Sequence, residues 1–586
     1  MGASTRQQHQ LTDRLRLIGL LLATALTALI QTSLSDAPLL LWLRALLGLI
    51  VLTEIGVSLL SSPFKFSWLR QNIPELLLAA VFVIYASLII SGSPLFGRWG
   101  QRLPASAFII LRNFFLYFRI GSRVRRLSNL LQDISLHPAQ TLVISFMMII
   151  LVGAILLMTP VATADGRGLG IIDALFTSTS AVCVTGLIVV DTATHLSLFG
   201  KIVVLLLIQA GGLGIMLLSY TASWVVTRHL KLSDKLTLAY MTNEDDLSQV
   251  SGAMLRIVLL TLGIELAGAL LLFLSFLGEG LGAGQALWFG LFHSVSAFCN
   301  AGFALFSDSF KGFRASLPIN AVLSALIILG GISFAVIINL GAMAGLRPAG
   351  RQATDPGSGG KARARLSLNS KVVLSTTGIL LLVSTLLIYF SEHGNSLAGD
   401  SLGVQYMAAF FQAVTLRTAG FNTVNFAAFS SAAIWVSILF MVIGGASGST
   451  AGGIKVNTIA VIYAYLRSRF RGQNRVLLFN FALSRNTASN ALVLFVFAVF
   501  AVSGGFFLLL LTERGDFTDI LFETVSAFGT VGLSRGITGD LSAPGRMIVV
   551  LLMFMGRIGP LTLLTALADR ELRSDVIYPE QEILIG

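Results

Sequence analysis

Four short segments of this chain are near copies of one another: Phe176–Leu187 (FTSTSAVCVTGL), Phe292–Phe303 (FHSVSAFCNAGF), Phe410–Phe421 (FFQAVTLRTAGF) and Phe522–Leu533 (FETVSAFGTVGL). In each, a phenylalanine stands ten positions before a glycine, and long apolar stretches lie on both sides. The glycines Gly186, Gly302, Gly420 and Gly532 are 116, 118 and 112 residues apart, so one unit of about this length occurs four times. Four copies of a short apolar helix ending in glycine are what a pore with fourfold pseudo-symmetry needs, the copies facing one another around an axis.

Composition places the chain in a membrane. Of 586 residues, 55% are hydrophobic and 12% charged, and the mean hydropathy is +0.84. A soluble domain carries roughly 25% charged residues, so a polytopic membrane protein is predicted. The net charge of +12 does not point to nucleic acid, because the basic residues cluster in a few loops between apolar spans. Arg467, Arg469, Arg471, Arg475 and Arg485 fall in one such segment, and Arg347, Arg351, Lys361, Arg363, Arg365 and Lys371 in another. The opposite loops hold Asp165, Glu279, Glu392, Asp400, Glu513, Asp516 and Asp519. The positive-inside rule then puts both termini in the cytoplasm and predicts anionic lipid as the partner of the basic loops. Cys183 and Cys299 read as small apolar packing residues, since two cysteines make no disulfide framework.

The predicted fold is an all-α integral membrane protein with four span–re-entrant helix–span repeats around one pore, preceded by an N-terminal bundle of about four helices. The spans are expected near 141–159 and 200–224, 253–276 and 318–343, 372–391 and 431–463, and 488–512 and 545–568. The short helices are expected near 172–182, 287–298, 404–416 and 517–528. They are too short to cross a bilayer, and non-helical backbone at membrane depth is tolerated only inside protein or along a water-filled path. The domains are therefore 1–136 (N-terminal membrane extension), 137–250, 251–366 with a cytoplasmic linker at 344–371, 367–486, 487–570, and the tail 571–586.

A cation crossing a membrane must exchange its hydration shell for other oxygens, and rings of backbone carbonyls supply them without a full negative charge. The filter is accordingly assigned to Val184, Thr185 and Gly186; Asn300, Ala301 and Gly302; Thr418, Ala419 and Gly420; and Thr530, Val531 and Gly532, acting mainly through carbonyls. No carboxylate lies in the three residues before any of these glycines, which argues against an acidic ring.

A second glycine feature follows 24 to 28 residues later: Gly211-Gly212, Gly330-Gly331, Gly444-Gly445 and Gly556–Gly559. In the third repeat it expands to GGASGSTAGGIK, which is too small and polar to remain a lipid-facing helix. It is predicted to unwind into an intramembrane gate made of Gly444, Gly445, Ser447, Gly448, Ser449, Thr450, Gly452, Gly453 and Lys455. Arg557, mid-span and costly in lipid, is predicted to lie against it.

These residues resemble the Trk/Ktr/HKT superfamily of potassium transporters, most closely its Ktr-type membrane subunit. The matching stretches are TSAVCVTGLIVVD (179–191), QAGGLGIM (209–216), SVSAFCNAGF (294–303), RTAGFNT (417–423), SGSTAGGIK (447–455), GRIGP (556–560) and YPEQEILIG (578–586). The resemblance extends over 137–586. It implies potassium uptake across the cytoplasmic membrane, K⁺ being the transported ion and Na⁺ dependence allowed, with no cofactor in this chain. It also implies a homodimer with one pore per protomer, docked on a cytosolic ring of nucleotide-binding regulatory subunits, and a C-terminal ending that tucks into the dimer interface. Glycine at all four filter positions implies K⁺ selectivity.

Two other readings are available. The N-terminal helices, with Arg112 and Arg119 leading into Arg123, Arg125 and Arg126, would make a voltage-influenced cation channel if they formed a sensor. They lack arginine at every third position. Gly445-Ala446-Ser447-Gly448 matches a Gly-x-Ser-Gly element of intramembrane hydrolases, but all six histidines precede Ser447. The chain is not expected to be an enzyme.

Overall fold

The computed structural model describes residues 138–214, 250–343, 366–473 and 475–559. Residues 1–137, 215–249, 344–365, 474 and 560–586, which take in the predicted N-terminal extension, the linker up to 365, the last residues predicted for two return spans and the tail, lie outside the described residues.

The described chain is almost entirely helical. The first repeat contributes α1 (Pro138–Leu157), α2 (Ile171–Val182) and α3 (Leu198–Leu213), and the second α4 (Val250–Gly278), α5 (Ala283–Phe298), α6 (Leu317–Gly331) and α7 (Phe334–Met343). The third has α8 (Leu368–Glu392), α9 (Leu402–Thr415), α10 (Ser431–Met441) and α11 (Val456–Phe470); the fourth has α12 (Arg485–Thr512), α13 (Phe517–Gly529) and α14 (Ala543–Ile558). A small hairpin, β1 (Leu477–Leu478) paired antiparallel with β2 (Phe481–Ala482), separates the last two repeats. Serine and aspartate caps start many of these helices: the side chains of Ser367, Ser430, Ser484, Asp516 and Ser542 accept from backbone N–H groups of the first turn.

Three described helices are long and apolar enough to cross a membrane: Leu255–Gly278, Leu368–Glu392 and Asn486–Thr512. Their polarity is inverted relative to a soluble protein. Leu259, Leu262, Leu266, Leu270 and Leu274 recur at helical spacing on α4 and are exposed, and α12 exposes Val496, Phe500, Phe507 and Leu511. The short helices are the reverse: Ser294, Ser296, Gln412, Thr415, Glu523, Thr524 and Ser526 are all buried. Leucine belongs against lipid, whereas polar side chains must find partners inside the protein.

Several expectations need correction. The span expected at 318–343 is broken: α6 and α7 meet at 105° across Ile332 and Ser333. The linker expected to reach 371 ends earlier, because Ser367 caps α8 from Leu368. The return span expected to end at 463 runs on to Phe470, its helix interrupted between Met441 and Val456 around the predicted loop. The second short helix starts at Ala283, four residues before its predicted start.

By internal packing the chain forms two compact units. The described part of the first is 152–178 and 190–204; the second holds 138–151, 179–189 and the described residues from 205 onward. In the first unit, backbone bonds from Ala164 N to His195 O (2.8 Å) and Ser197 N to Ala162 O (3.0 Å) join the segment after α1 to the one before α3. The second unit contains Gly186, Gly302, Gly420 and Gly532.

Candidate functional site

Each short helix ends in the same unusual backbone. The residue two before the glycine adopts a left-handed conformation in every repeat: Val184 at φ 57°, Asn300 at 59°, Thr418 at 67° and Thr530 at 51°. Three of these are β-branched, for which positive φ is a genuine outlier. The cause is closure of the helix end. Thr185 N, Ala301 N and Val531 N reach back to the carbonyls of Ser180 (2.8 Å), Ser296 (2.7 Å) and Ser526 (2.8 Å), satisfying orphan carbonyls as a Schellman motif does. The third repeat closes one residue tighter, with Ala419 N on Thr415 O at 3.0 Å.

The four glycines then meet in a closed ring. A Cβ added to Gly186 would lie 2.5 Å from Ala301 O and 2.9 Å from Gly302 Cα. One on Gly302 would lie 2.9 Å from both Ala419 O and Gly420 Cα, and one on Gly420 would lie 2.8 Å from Val531 O. One on Gly532 would collide with Thr185 O and lie 3.0 Å from Gly186 Cα. Each glycine therefore abuts the carbonyl preceding the next glycine, in the order first, second, third, fourth, first. Their φ values of 93°, 72°, 76° and 85° add a second reason for glycine. The buried hydroxyls of Thr185, Thr415 and Thr530 have no hydrogen-bond partner among the described residues.

The second glycine set does a job the sequence reading did not assign it. A Cβ on Gly211, Gly330 or Gly556 would collide with the carbonyl of Val182, Phe298 or Phe528, in each case the residue four before the filter glycine. These are close-approach glycines that let the return span press against the end of its short helix. In the third repeat the pattern breaks, and Gly444 packs against Gly452 and Thr418 instead.

The predicted loop at 444–453 is non-helical and clipped at both ends: Gly444 N donates to Ile454 O (2.9 Å) and Val456 N to Gly445 O (3.0 Å). It docks on the bend between α6 and α7. The bend frees the carbonyls of Gly330 and Gly331 and the N–H of Phe334; these pair with Thr450 N (3.2 Å), Ala446 N (2.9 Å) and Gly448 O (3.2 Å). Thr450 Oγ1 donates within reach of both Gly330 O (2.9 Å) and Phe298 O (3.1 Å). Three backbone groups freed by the bend are thus matched by the loop.

Arg557 sits where the sequence put it, against this loop. Its guanidinium donates to Thr450 O and to Gly211 O, so one cation bridges the loop and α3. Lys455 Nζ donates to Ala451 O at 2.5 Å and folds back on the loop's own backbone. Ser447 and Gly448 are exposed, Ser449 is half-buried, and Gly444, Gly445, Thr450, Gly452 and Gly453 are buried. Gly452 packs against the Thr530 side chain, so the loop touches the left-handed filter residue of the fourth repeat.

Two polar features escaped the sequence reading. Glu265 on α4 is buried; Gln209 Nε2 donates to its Oε2 at 3.1 Å, and the Cys299 thiol lies 3.7 Å from its Oε1. Cys299 is therefore a thiol donor in a polar cluster and not only an apolar filler. A lone glutamate inside an apolar run was the available signal. Arg417, three residues before Gly420, is buried, and its Nε and Nη2 have no partner among the described residues.

With this geometry in hand, comparison with known proteins is informative. The family described as TrkH, cation transport protein, matches residues 107–576, beginning thirty residues before the 137–586 over which the resemblance extends. The chain is 36% identical over 451 residues to the Ktr system potassium uptake protein B of Bacillus subtilis (strain 168), covering 77% of this chain and 97% of the relative. It is 38% identical over 447 residues to the protein of the same name from Vibrio alginolyticus, covering 76% and 94%. The potassium/sodium uptake protein NtpJ of Enterococcus hirae is 33% identical over 458 residues, covering 77% and 98%. The crystal structure of the potassium transporter TrkH from Vibrio parahaemolyticus superposes with a TM-score of 0.57 over 92% of this chain and 98% of that one, at 18% identity. That last match speaks to the fold.

Proposed function

We propose, from the premise that this chain belongs to the TrkH family of cation transport proteins, that it takes up potassium through a K⁺-selective path at the glycine ring. The chain is a multi-pass membrane protein of a transporter family, not an enzyme, and the hydrolase reading of Ser447 is set aside on that ground. The observation that carries the potassium reading is the ring itself. Four segments more than 100 residues apart in sequence bring the carbonyls of Thr185, Ala301, Ala419 and Val531 each against the glycine of a neighbouring repeat. Such carbonyls can replace the water shell of a large monovalent cation, and the unpartnered hydroxyls of Thr185, Thr415 and Thr530 are further oxygens within the same region. The twelve filter residues assigned from sequence are its lining, in four span–re-entrant helix–span repeats around one path.

The loop 444–453 acts as the gate in this reading, held by Arg557 on one side and the bend of α6–α7 on the other. The name of the NtpJ relative supports passage of, or dependence on, Na⁺ as well. The Ktr relatives' names describe one component of a system, which supports association with a cytosolic nucleotide-binding regulatory ring. A homodimer, cytoplasmic termini, bacterial-type inner-membrane placement and the domain boundaries given above complete the proposal.

Growth of cells lacking potassium uptake, at limiting K⁺ and with the regulatory subunit present, tests it. The intact protein should rescue; Gly186→Ser and Gly302→Ser should lose rescue or lose discrimination against Na⁺, since the added side chain meets the neighbouring segment's backbone. Failure of the intact protein, or two mutants indistinguishable from it, would reject the pore.

A further inference from the structure

A strand that turns its carbonyls toward an ion path turns its N–H groups the other way, into the protein. Each of those donors needs an acceptor, because leaving a buried donor unmatched is destabilising. In the second and third repeats the acceptor is a side chain on the short helix, and in the fourth a side chain on the short helix accepts instead from a hydroxyl farther along the outgoing segment; each repeat uses a different residue type.

In the second repeat it is His293 on α5. Its Nδ1 faces Phe289 O, one helical turn back, at 2.8 Å, which fixes Nδ1 as the donor and leaves Nε2 to accept. Nε2 accepts from Leu305 N at 3.0 Å, three residues past Gly302. The ring is fully buried and stacked on Phe306 at 5.2 Å, edge-on to Phe310 at 4.9 Å. Aromatic walls on these sides leave the imidazole one available pose.

In the third repeat Gln412 on α9 does the same work. With its amide oriented to suit its neighbours, Oε1 accepts from Thr423 N at 3.0 Å and Val424 N at 3.2 Å, three and four residues past Gly420. In the fourth repeat Glu523 on α13 accepts from Thr538 Oγ1 at 2.5 Å, six residues past Gly532. All three are buried, none belongs to the ring or the gate, and the sequence pattern assigned none of them a role.

We propose that His293, Gln412 and Glu523 are positioning residues that hold the outgoing filter strands from behind and thereby set discrimination between K⁺ and Na⁺. The proposal rests on the pore reading above. None of the three touches the ion. Each fixes the strand whose upstream carbonyls do, so losing an acceptor lets that strand relax and the ring lose its fixed dimensions. The second repeat is the clearest case, because a single hydrogen bond from His293 meets the strand.

The test compares His293→Phe, which keeps an aromatic ring in the cage but removes the acceptor, with His293→Gln, which restores an acceptor of the kind the third repeat already uses. Both are assayed for K⁺ and Na⁺ uptake in potassium-uptake-deficient cells expressing the full chain with its regulatory subunit, at matched amounts in the membrane. His293→Phe should raise the KM for K⁺ and lower the K⁺:Na⁺ uptake ratio about tenfold, the effect of losing one buried hydrogen bond. Vmax should stay in range, and His293→Gln should recover most of the ratio. Gln412→Glu against Gln412→Met gives the same contrast in the third repeat, should His293→Phe fail to reach the membrane. The proposal is overturned if the acceptor-less variants keep the intact protein's ratio, or if they lower Vmax alone. An intact protein that carries no K⁺ would instead overturn the pore reading beneath it, which the first control detects.

Discussion

Val184, Thr418 and Thr530 are β-branched residues held at positive φ, a conformation costing of order 1–3 kcal/mol each. The cost is accepted where the surroundings over-determine it: the Schellman-type closure behind and the carbonyl of the next repeat in front. The close-approach glycines are as strict in the opposite direction. Gly556→Ala forces a Cβ onto Phe528 O and should destabilise the protein by about 1–3 kcal/mol, as overpacking does. Gly504→Ala, on α12 with nothing within 4 Å of the added carbon, should be neutral or slightly stabilising. Thermal unfolding of the two variants in detergent checks the pair; equal transitions would remove the packing role given to the second glycine set.

At the scale of elements, two irregularities explain each other. A helix bent by 105° and a glycine loop inserted in a span would each leave backbone groups unmatched inside a membrane. Docked together they match, and Arg557 adds donors to carbonyls on both the loop and α3. Shortening the loop by deleting Ser447–Ser449 removes Gly448 O, the partner of Phe334 N, and loosens the clip. Cation flux should rise severalfold, measured as initial K⁺ uptake rates at matched expression. An unchanged rate would leave the loop without a gating role. Similar matching ties the outer ends of the spans, where Glu392 accepts from Ser430 N (2.8 Å) and Ser430 Oγ (2.6 Å), and Glu513 from Ser542 N (3.1 Å).

For the whole molecule, the proposed orientation rests on the charge asymmetry. Arg467 and Arg469 lie in the last turn of α11, and Arg471 and Arg475 lead from it into the β1–β2 hairpin, while Asp400 and Asp516 precede α9 and α13. A cysteine placed at Asn480, on the hairpin turn, should react with a membrane-impermeant maleimide only after the cells are opened, and one at Asp516 should react in intact cells. Cys183 and Cys299 are buried and free, so they give little background. The reverse labelling pattern would invert the topology.

Much of this was legible in the chain itself. The fourfold repeat, the short helices, the glycine at each end, the unwinding of 444–453 and the placement of Arg557 follow from local facts: run length, apolar continuity and the small set of residues that tolerate irregular backbone in a membrane. The break at Ile332–Ser333 was not legible, because Gly330-Gly331 reads like the paired glycines of the other spans until the loop that receives its carbonyls is in place. His293, Gln412 and Glu523 were equally silent, since a polar residue on a short apolar helix shows its purpose only when the strand it holds has folded back over it. Sequence by itself determined that four glycine-ended helices would have to be buried together. Tertiary structure decided how they close and what braces them, because a buried hydrogen bond depends on which donor and acceptor the fold brings within 3 Å, and the partners here lie from about ten to several hundred residues apart.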